Sequence, residues 1–395
     1  MKSGWAIKKL GELGTIVRGK GIRRNETVGN GLPCIRYGEI YTSYNYILDC
    51  PHSFVGKDVF AQCPKIKEGD VIFTLTGENK EEIAKALAYL GKDEIAAGGD
   101  LAIWSKHGCD PKFLAYMMYA PKLIEAKARA SNGDIIVHAS LKKMYEIEIP
   151  VPPFAEQKRM AAKIDAAFEK IDKLKTNAER NLANAKELFQ SALDEAMRPK
   201  KGWVEKRLGG VCKTTSGGTP SKSRPEYYDE GTIPWLRSGE VCRKDISETE
   251  MFITQLGVKN SSAKLMPPNT VVVAMYGATA AQVGILRIES TTNQAVCGIL
   301  PNDKFRPEFL YYYFRSIQDK LAARAQGGAQ PNISQQKIKE TIVPLISLPE
   351  QDEIVTCLNR ATDKIELLQQ HYTRQIADCA ELRQSVLREA FEGRL

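Results

Sequence analysis

One stretch of the chain, residues 153–197, predicts a single very long helix. It contains no glycine, its only proline is its first residue, and the helix-favouring Ala, Leu, Glu, Lys and Gln dominate it. Alternating steps of four and three residues from Ile164 meet apolar residues except at Lys175, a heptad pattern typical of a coiled coil. At ~1.5 Å per residue such a helix is about 65 Å long. The predicted seam includes Ile164, Phe168, Ile171, Leu182 and Phe189.

A second copy of this helix lies at the other end of the sequence, over residues 348–395. An offset of 194 residues carries Gln157 onto Gln351 and keeps the heptad register, with more polar breaks. Two helices with one register are expected to pair with each other, the alternative being two unrelated amphipathic helices. The predicted seam of the second helix includes Leu358, Ile365, Tyr372, Ile376 and Val386.

The repeat extends beyond the helices. The stretch Trp5–Gly11 parallels Trp203–Gly209, and Leu32–Ile40 parallels Ile233–Val241. The chain is therefore one unit of roughly 200 residues used twice, each copy a globular domain followed by a long helix. The boundaries that we predict are 1–152 for the first domain, 153–198 for the central helix, 199–347 for the second domain and 348–395 for the C-terminal helix.

Each globular domain is predicted to mix strands with helix. Apolar runs such as Val71–Leu75 and Val271–Met275 predict strands, and the pattern of Phe113–Ala130 predicts a helix. We therefore predict an α+β chain with two α/β domains in tandem. Two long antiparallel coiled-coil helices join them, and the whole has pseudo-two-fold symmetry. Such a chain would hold two binding surfaces at a fixed separation.

Composition restricts the cellular setting only mildly. The net charge of +8 and the pI near 8.8 fit a polyanionic partner. Nothing near residue 1 resembles a signal peptide and no apolar run is long enough to span a membrane, so we expect a cytoplasmic protein without membrane contact. Nine cysteines are scattered singly and four histidines are isolated, a pattern that predicts reduced thiols and no metal site.

Motifs for catalysis are weak throughout the sequence. The stretch Gly14–Lys20 begins like a P-loop, but Gly21 stands where a Ser or Thr should hold magnesium. Glu156 and Glu350 recur at the starts of the two long helices, where a carboxylate favours the helix dipole and can cap the helix. We therefore predict a non-catalytic chain that binds no cofactor.

The repeat as a whole resembles a known family. Each copy opens on Trp-x-x-Lys-(Lys/Arg)-Leu-Gly and closes on Glu-Gln plus the long helix, and the second copy contains the stretch Thr215–Ser221 and ends in Glu389–Leu395. These features are similar to the DNA-specificity (S) subunit of type I restriction-modification systems. The first copy departs from the family's opening, because Arg18–Arg24 replaces the Gly-Gly-Thr-Pro-Ser stretch.

The resemblance implies a mechanism shared among subunits. Two target recognition domains would each read one half of a bipartite site in double-stranded DNA, and the helices would set the unread spacer between the halves. The helices would also dock two methyltransferase (M) subunits, and restriction (R) subunits would join the complex. Adenine-N6 methylation and ATP-dependent DNA cleavage would belong to these partners. S-adenosylmethionine, ATP and magnesium would accordingly be bound there.

Two domains that read different sequences should share their scaffold and differ in their base-reading loops. The shared Arg36 and Arg237, each followed by Glu three residues on, fit scaffold ion pairs or phosphate contacts better than base readout. Polar loops that differ can read base edges in the major groove or contact phosphates. The candidate DNA-binding residues are Arg18, Lys20, Arg23, Arg24, Asn25, Arg36, Tyr44, Asn45, Asn79 and Lys80 in the first domain, and Lys222, Arg224, Tyr227, Arg237, Arg243, Lys244 and Gln282 in the second.

Two alternatives to a DNA-specificity subunit remain at this point. One is a coiled-coil scaffold that binds no DNA, and the other is a self-contained restriction or modification enzyme. The sequence predicts neither the DNA sequence read nor the spacer length, because base readout depends on loop geometry.

Overall fold

The computed structural model describes residues 4–133, 136–323 and 332–395, and it divides into two compact units. Unit 1 comprises Met1–Glu179 together with Thr373–Leu395, and unit 2 comprises Arg180–Tyr372. Each unit thus contains one globular domain, about half of the central helix and about half of the C-terminal helix.

Unit 1 is built around a five-stranded sheet in the order β2-β12-β8-β10-β5. All four residues of the central strand β8 are buried, which explains its continuous apolar sequence. A second five-stranded sheet has the order β3-β6-β4-β11-β7, a three-stranded sheet has the order β13-β14-β9, and β1 pairs with β15. The strands are β1 Ala6–Lys9, β2 Thr15–Arg18, β3 Thr27–Val28, β4 Leu32–Ile35, β5 Tyr46–Leu48, β6 Ser53–Val55, β7 Lys65–Ile66, β8 Val71–Thr74, β9 Thr76–Gly77, β10 Ala86–Tyr89, β11 Ile95–Ala97, β12 Leu101–Ser105, β13 Ser131–Asn132, β14 Val137–Ala139 and β15 Glu148–Val151.

Short helices surround these sheets. The prediction of one continuous helix over Phe113–Ala130 is wrong, because the chain forms two separate helices there. Pro121 lacks the backbone N–H that a continuous helix needs, and it starts a new helix instead. The helices that begin in this part of the chain are α1 Tyr37–Thr42, α2 Lys57–Gln62, α3 Pro111–Met117, α4 Pro121–Arg129, α5 Leu141–Tyr145 and the long α6 Phe154–Ala196.

Unit 2 repeats the plan with a smaller second sheet. Its main sheet has the order β17-β24-β21-β22-β19, a three-stranded sheet has the order β20-β18-β23, and β16 pairs with β25. The strands are β16 Val204–Arg207, β17 Thr214–Ser216, β18 Ile233–Leu236, β19 Asp245–Ile246, β20 Phe252–Ile253, β21 Val271–Ala274, β22 Val283–Leu286, β23 Thr291–Thr292, β24 Val296–Ile299 and β25 Ile342–Leu345. The helices are α7 Leu208–Val211, α8 Gln255–Lys259, α9 Pro307–Ser316, α10 Gln318–Ala323, α11 Gln335–Lys339 and the long α12 Leu348–Phe391.

The two long helices pack together and run antiparallel, as the sequence predicted. In unit 1 the first half of α6 shares a core with the last turns of α12, where Phe168 stacks under Arg383 with 4.6 Å from the guanidinium carbon to the ring centre. In unit 2 the end of α6 shares a core with the first turns of α12, through Leu193 and Leu358.

Burial along the seam is uneven. The side chains of Ile164, Phe168, Ile171, Leu358 and Ile365 are buried. The other predicted seam residues are half-buried, namely Leu182, Phe189, Tyr372, Ile376 and Val386. In the described residues, no helix combines the length and the apolar character needed to cross a membrane.

Candidate nucleic-acid interface

The divergent loops of unit 1 emerge at one end of its main sheet. Strand pairing places Arg18, the last residue of β2, opposite Ala102, one residue from the pair formed by Leu101 and Thr74. The first residues of β10 and β5 lie at this same end, because Ala86 pairs with Phe73 and Leu87 pairs with Tyr46. Loops 19–30, 41–45 and 78–85 therefore leave the sheet together, and we call this surface loop face 1.

Unit 2 has a corresponding surface. Ser216, the last residue of β17, pairs with Cys297, which in turn pairs with Val273 near the end of β21. The following loop returns into β22 at Val283, which pairs with the same Val273. Loops 217–228, 242–244 and 277–282 thus share one end of this sheet, and we call the surface loop face 2.

A backbone bridge that the sequence did not predict adjoins segment 78–85 in unit 1 and segment 277–282 in unit 2. In unit 1, His138 pairs with Thr76 across β14 and β9, and the histidine Nδ1 lies 3.2 Å from the threonine hydroxyl. In unit 2, Asn332 makes the equivalent backbone bridge to Tyr276. All but Thr76 are exposed. Part of this arrangement is visible in the sequence, because His138 and Asn332 each lie two residues before a serine at the N-cap position of a short helix, Ser140 and Ser334. The bridge itself is not visible, because its other strand is distant in the chain.

Most arginines on the loop faces already have carboxylate partners. Ion pairs join Arg18 to Asp100 at 3.2 Å, and Arg243 to Glu248 at 3.3 Å, and all four side chains are at least 41% exposed. Arg224 pairs similarly with Glu226 at 3.4 Å. Exposed pairs of this kind contribute only about 0–1 kcal/mol each. Another anion can therefore replace the carboxylate at little cost.

The two shared arginines have the contacts of scaffold residues. The guanidinium of Arg36 lies 3.1 Å from Glu39, whose other carboxylate oxygen accepts the Arg36 backbone N–H at 2.8 Å. Arg237 has a similar arrangement, in which one Glu240 oxygen accepts the backbone N–H at 2.9 Å and lies 3.5 Å from the guanidinium, while Glu250 forms a second ion pair with that guanidinium. In both units the residue thus closes the first turn of a short helix. This geometry favours the scaffold interpretation of the pair.

Several remaining candidates lie exposed on the loop faces. Lys20 donates to Gln62 at 3.0 Å, and Asn79 organises its own loop by accepting the Glu82 backbone N–H at 2.8 Å. Tyr227 is half-buried. The other exposed candidates are Arg23, Arg24, Asn25, Asn45, Lys80 and Lys222.

Three candidates are oriented away from solvent. Tyr44 is only 8% exposed, stacks on His52, and accepts that residue's backbone N–H at 2.8 Å; burial raises the pKa of its phenol. Lys244 points toward helix α12, where its ammonium donates to Asn359 at 2.7 Å. Gln282 is half-buried, and its side-chain oxygen is buried with no hydrogen-bond partner among the described residues. For Tyr44 and Lys244 the structure indicates core and junction roles instead of DNA contact.

The Glu-Gln motif at the start of each long helix works mainly through its glutamine. Gln157 is 2% exposed, accepts the Asp110 backbone N–H at 2.9 Å and donates to Pro152 at 2.8 Å. Gln351 is fully buried and accepts the Arg306 backbone N–H at 2.8 Å. Asp110 and Arg306 each directly precede a helix, α3 and α9. The motif thus fastens the first turn of each long helix to its own globular domain.

The geometry therefore defines a tandem protein with two loop faces on one scaffold, and comparison with known proteins identifies its class. The family model described as type I restriction modification DNA specificity domain matches residues 2–182 and again residues 200–376. The chain belongs to this family of specificity subunits.

Individual relatives agree with that assignment. The chain is 28% identical over 246 residues to the type I restriction enzyme EcoR124I/EcoR124II specificity subunit of Escherichia coli, an alignment that spans 60% of each chain. It is 24% identical to the EcoKI specificity subunit of Escherichia coli K12 over 100% of this chain and 90% of the relative.

Solved structures share the fold over the whole length. The crystal structure of the HsdS subunit from Thermoanaerobacter tengcongensis has a TM-score of 0.62 at 19% identity, covering 100% of this chain and 98% of that one. A chain from a study of complex assembly and conformational transition of the type I R-M system has a TM-score of 0.77, also at 19% identity, covering 100% and 99%.

Proposed function

We propose that each globular domain reads one half of a bipartite DNA target, through loop face 1 and loop face 2. The observation that carries this proposal is the repetition of one scaffold with different loops. Both sheets keep the same strand order around a buried central strand, while the loops at their shared end differ in length and in polar residues. A protein that read a single sequence twice would have no physical reason for this divergence.

The paired helices would set the spacer between the two halves. Their antiparallel packing gives a stiff element whose length is fixed by the number of residues, at ~1.5 Å per residue. Its seam is anchored by buried Ile164 and Ile171 in unit 1 and by buried Leu358 and Ile365 in unit 2. Sliding one helix along the other would move these side chains out of register.

Exposed leucines support a docking surface on each half of the helix pair. Leu174 is 57% exposed and its repeat equivalent Leu368 is 39% exposed; Leu188 is 56% exposed and its equivalent Leu382 is 45% exposed. In unit 1, Asp172 contacts Arg383, and in an antiparallel pair this contact places Leu174 and Leu382 at one level. We infer that each unit presents one such apolar site, and that two methyltransferase subunits occupy them.

DNA methylation and cleavage would then be carried out by the methyltransferase and restriction subunits. S-adenosylmethionine, ATP and magnesium would be bound by these partner subunits. This chain would contribute only the choice of DNA site.

The test is to co-express the chain with the methyltransferase of its own system and to map methylated adenines across the host genome. We expect a split motif, in which two short specified halves flank a gap of constant length. Methylation of one continuous site would contradict the proposal that two domains each recognise one half-site. A stable complex that methylates nothing would favour a scaffold that binds no DNA.

A further inference from the structure

A polar cluster joins the domain of unit 2 to helix α12. The hydroxyl of Tyr312, on α9, donates to the side-chain oxygen of Asn359 at 2.7 Å and lies 3.2 Å from Thr362. The ammonium of Lys244 donates to the same Asn359 oxygen at 2.7 Å and to the Tyr312 hydroxyl at 3.1 Å. Tyr312 is fully buried, whereas Lys244, Asn359 and Thr362 are half-buried, so this cluster lies at the edge of the packed junction.

Unit 1 has an equivalent cluster at the equivalent place. The hydroxyl of Tyr116, on α3, donates to Asp165 of α6, and Lys112 forms an ion pair with the same carboxylate at 2.9 Å. The repeat offset of 194 carries Asp165 onto Asn359. Tyr116 is 3% exposed, and burial followed by its bond to Asp165 raises the pKa of its phenol, which therefore remains a proton donor.

Each cluster is the second of two polar attachments between a domain and its long helix, beside the apolar core that the two share. The first is the buried glutamine, Gln157 or Gln351, which holds the residue preceding α3 or α9. The tyrosine clusters lie eight residues further along, at Asp165 and Asn359, or about 12 Å at ~1.5 Å per residue. The apolar core that joins domain and helix is non-directional, so by itself it fixes their relative angle only loosely. Two attachments on one helix face fix its direction.

We propose that Lys244, Tyr312 and Asn359 in unit 2, and Lys112, Tyr116 and Asp165 in unit 1, are positioning residues that fix the angle between each DNA-reading domain and its long helix. They thereby set which spacer lengths the complex accepts. This inference rests on the proposed function. It assigns Lys244 to the control of spacing and removes it from base readout.

The two clusters differ in a way that bears on the test. Lys112 lies on the same helix as Tyr116, whereas Lys244 directly precedes strand β19 and belongs to loop face 2. The cluster of unit 2 therefore ties a reading loop directly to the long helix. Loosening it should affect the spacer more than the half-site sequence, because the other loops keep their places on the sheet.

The experiment uses the full chain in complex with its methyltransferase subunit and a plasmid library in which the two half-sites are separated by different spacers. Tyr312→Phe deletes one hydroxyl and Asn359→Leu removes the shared acceptor. We expect both variants to raise methylation at spacers one base pair longer or shorter about five- to tenfold relative to the preferred spacer, the range that one buried hydrogen bond supports. The half-site sequences should stay unchanged.

Two matched variants serve as controls. Asn359→Asp keeps an acceptor and copies the residue of unit 1. Tyr311→Phe deletes a hydroxyl that takes no part in the hydrogen bonds of the cluster and keeps the ring that contacts Tyr312 and Lys244. Both variants should retain the wild-type spacer. Unchanged spacer preference in Tyr312→Phe and Asn359→Leu would overturn the positioning role. An equal loss of methylation at every spacer, with a lower melting temperature, would show a purely structural contact and would also overturn it. If the unaltered complex methylates no bipartite site, the proposed function itself fails.

Discussion

At the scale of single residues, the loop faces combine positive charge with weak internal pairing. Arg18 and Arg243 hold carboxylates at 3.2 and 3.3 Å, but those partners are exposed and easily exchanged for phosphate. Arg23 and Arg24 are exposed on the same surface of unit 1. Residues of this kind are suited to positioning the protein on DNA more than to reading it.

A double substitution of Arg23 and Arg24 by alanine should therefore weaken DNA binding in the complex without changing its sequence preference. Each lost phosphate contact should reduce the slope of log affinity against log salt concentration by about 0.9. Fluorescence anisotropy over a salt series measures this slope. Lys92→Ala, an exposed residue in the turn at the opposite end of the sheet, is the matched control and should leave the slope unchanged. Altered half-site preference in the double variant would assign these arginines to base readout.

Lys127 is a lysine in surroundings that disfavour its charge. Its side chain is 2% exposed, and its ammonium donates a hydrogen bond to the Ala84 carbonyl at 3.2 Å. Burial lowers its pKa from 10.5 to about 7. Between these two pH values the unfolded chain binds one more proton than the folded chain at this site, so this residue makes the free energy of unfolding rise with pH.

Replacing Lys127 by methionine should accordingly raise the free energy of unfolding at pH 7 by roughly 4 kcal/mol. The advantage should shrink as the pH rises from about 7 to 10.5, because in this range the unfolded lysine keeps the proton that the folded lysine has lost. Thermal unfolding across this pH range measures the difference. Lys122→Met changes an exposed residue of the same helix and should show no such pH-dependent difference. A constant gain at every pH would mean that Lys127 keeps its charge when folded.

Side-chain direction explains why some candidate residues were misjudged from sequence. Tyr44 and Lys244 stand in polar, divergent stretches, and composition alone placed them on the surface. Their backbone positions do lie near the loop ends of the sheets, but one side chain turns into the core and the other toward a helix. The direction of each side chain depends on strand pairing between distant segments, and that pairing cannot be deduced from a single sequence.

At the scale of elements, the long helices were the most predictable part of the molecule. The heptad pattern repeats over many turns, so single errors such as Lys175 do not obscure it; that residue forms an exposed pair with Glu179 at 3.8 Å. The convergence of loops at one sheet end was not predictable, because it depends on non-local register. The helix break at Pro121 was predictable from the proline, but the apolar residues on both sides of it favoured the prediction of one continuous helix.

Lengthening both helices by one heptad should lengthen the spacer. Seven residues add about 10 Å, or roughly three base pairs at 3.4 Å each, while keeping the seam in register. The insertions belong in the middle of α6 and of α12 together, since an insertion in one helix alone would misalign the pair. Mapping of methylated sites reports the new gap. An unchanged gap would show that the helices do not set it.

Exposed leucines should determine how many methyltransferase subunits bind. We expect Leu174→Ser combined with Leu382→Ser to weaken one of the two docking sites more than tenfold, because each buried leucine contributes about 1.5–3 kcal/mol. Native mass spectrometry should then show complexes with one methyltransferase subunit in place of two. Gln370→Ser, an exposed polar change on α12, should leave the stoichiometry at two. Full occupancy in the leucine variant would locate docking elsewhere.

At the scale of the whole molecule, the repeat would make the two proposed specificities separable. Replacing residues 1–152 by the corresponding domain of another family member should change one half of the recognised site and preserve the other half. Sequencing of methylated DNA measures both halves at once. The reciprocal exchange of residues 199–347 is the matched comparison and should alter the opposite half. A change in both halves from either exchange would show that the domains do not read independently.

The division of the chain also has a consequence for its synthesis. Unit 2 is one continuous segment, Arg180–Tyr372, and can close its core while the ribosome is still translating the remaining residues. The core of unit 1 needs Cys379, Leu387 and Ala390 from the last turns of α12. The domain made first is therefore the last to be completed. An interrupted translation would release its apolar helix face uncovered, a state that chaperones and proteases recognise.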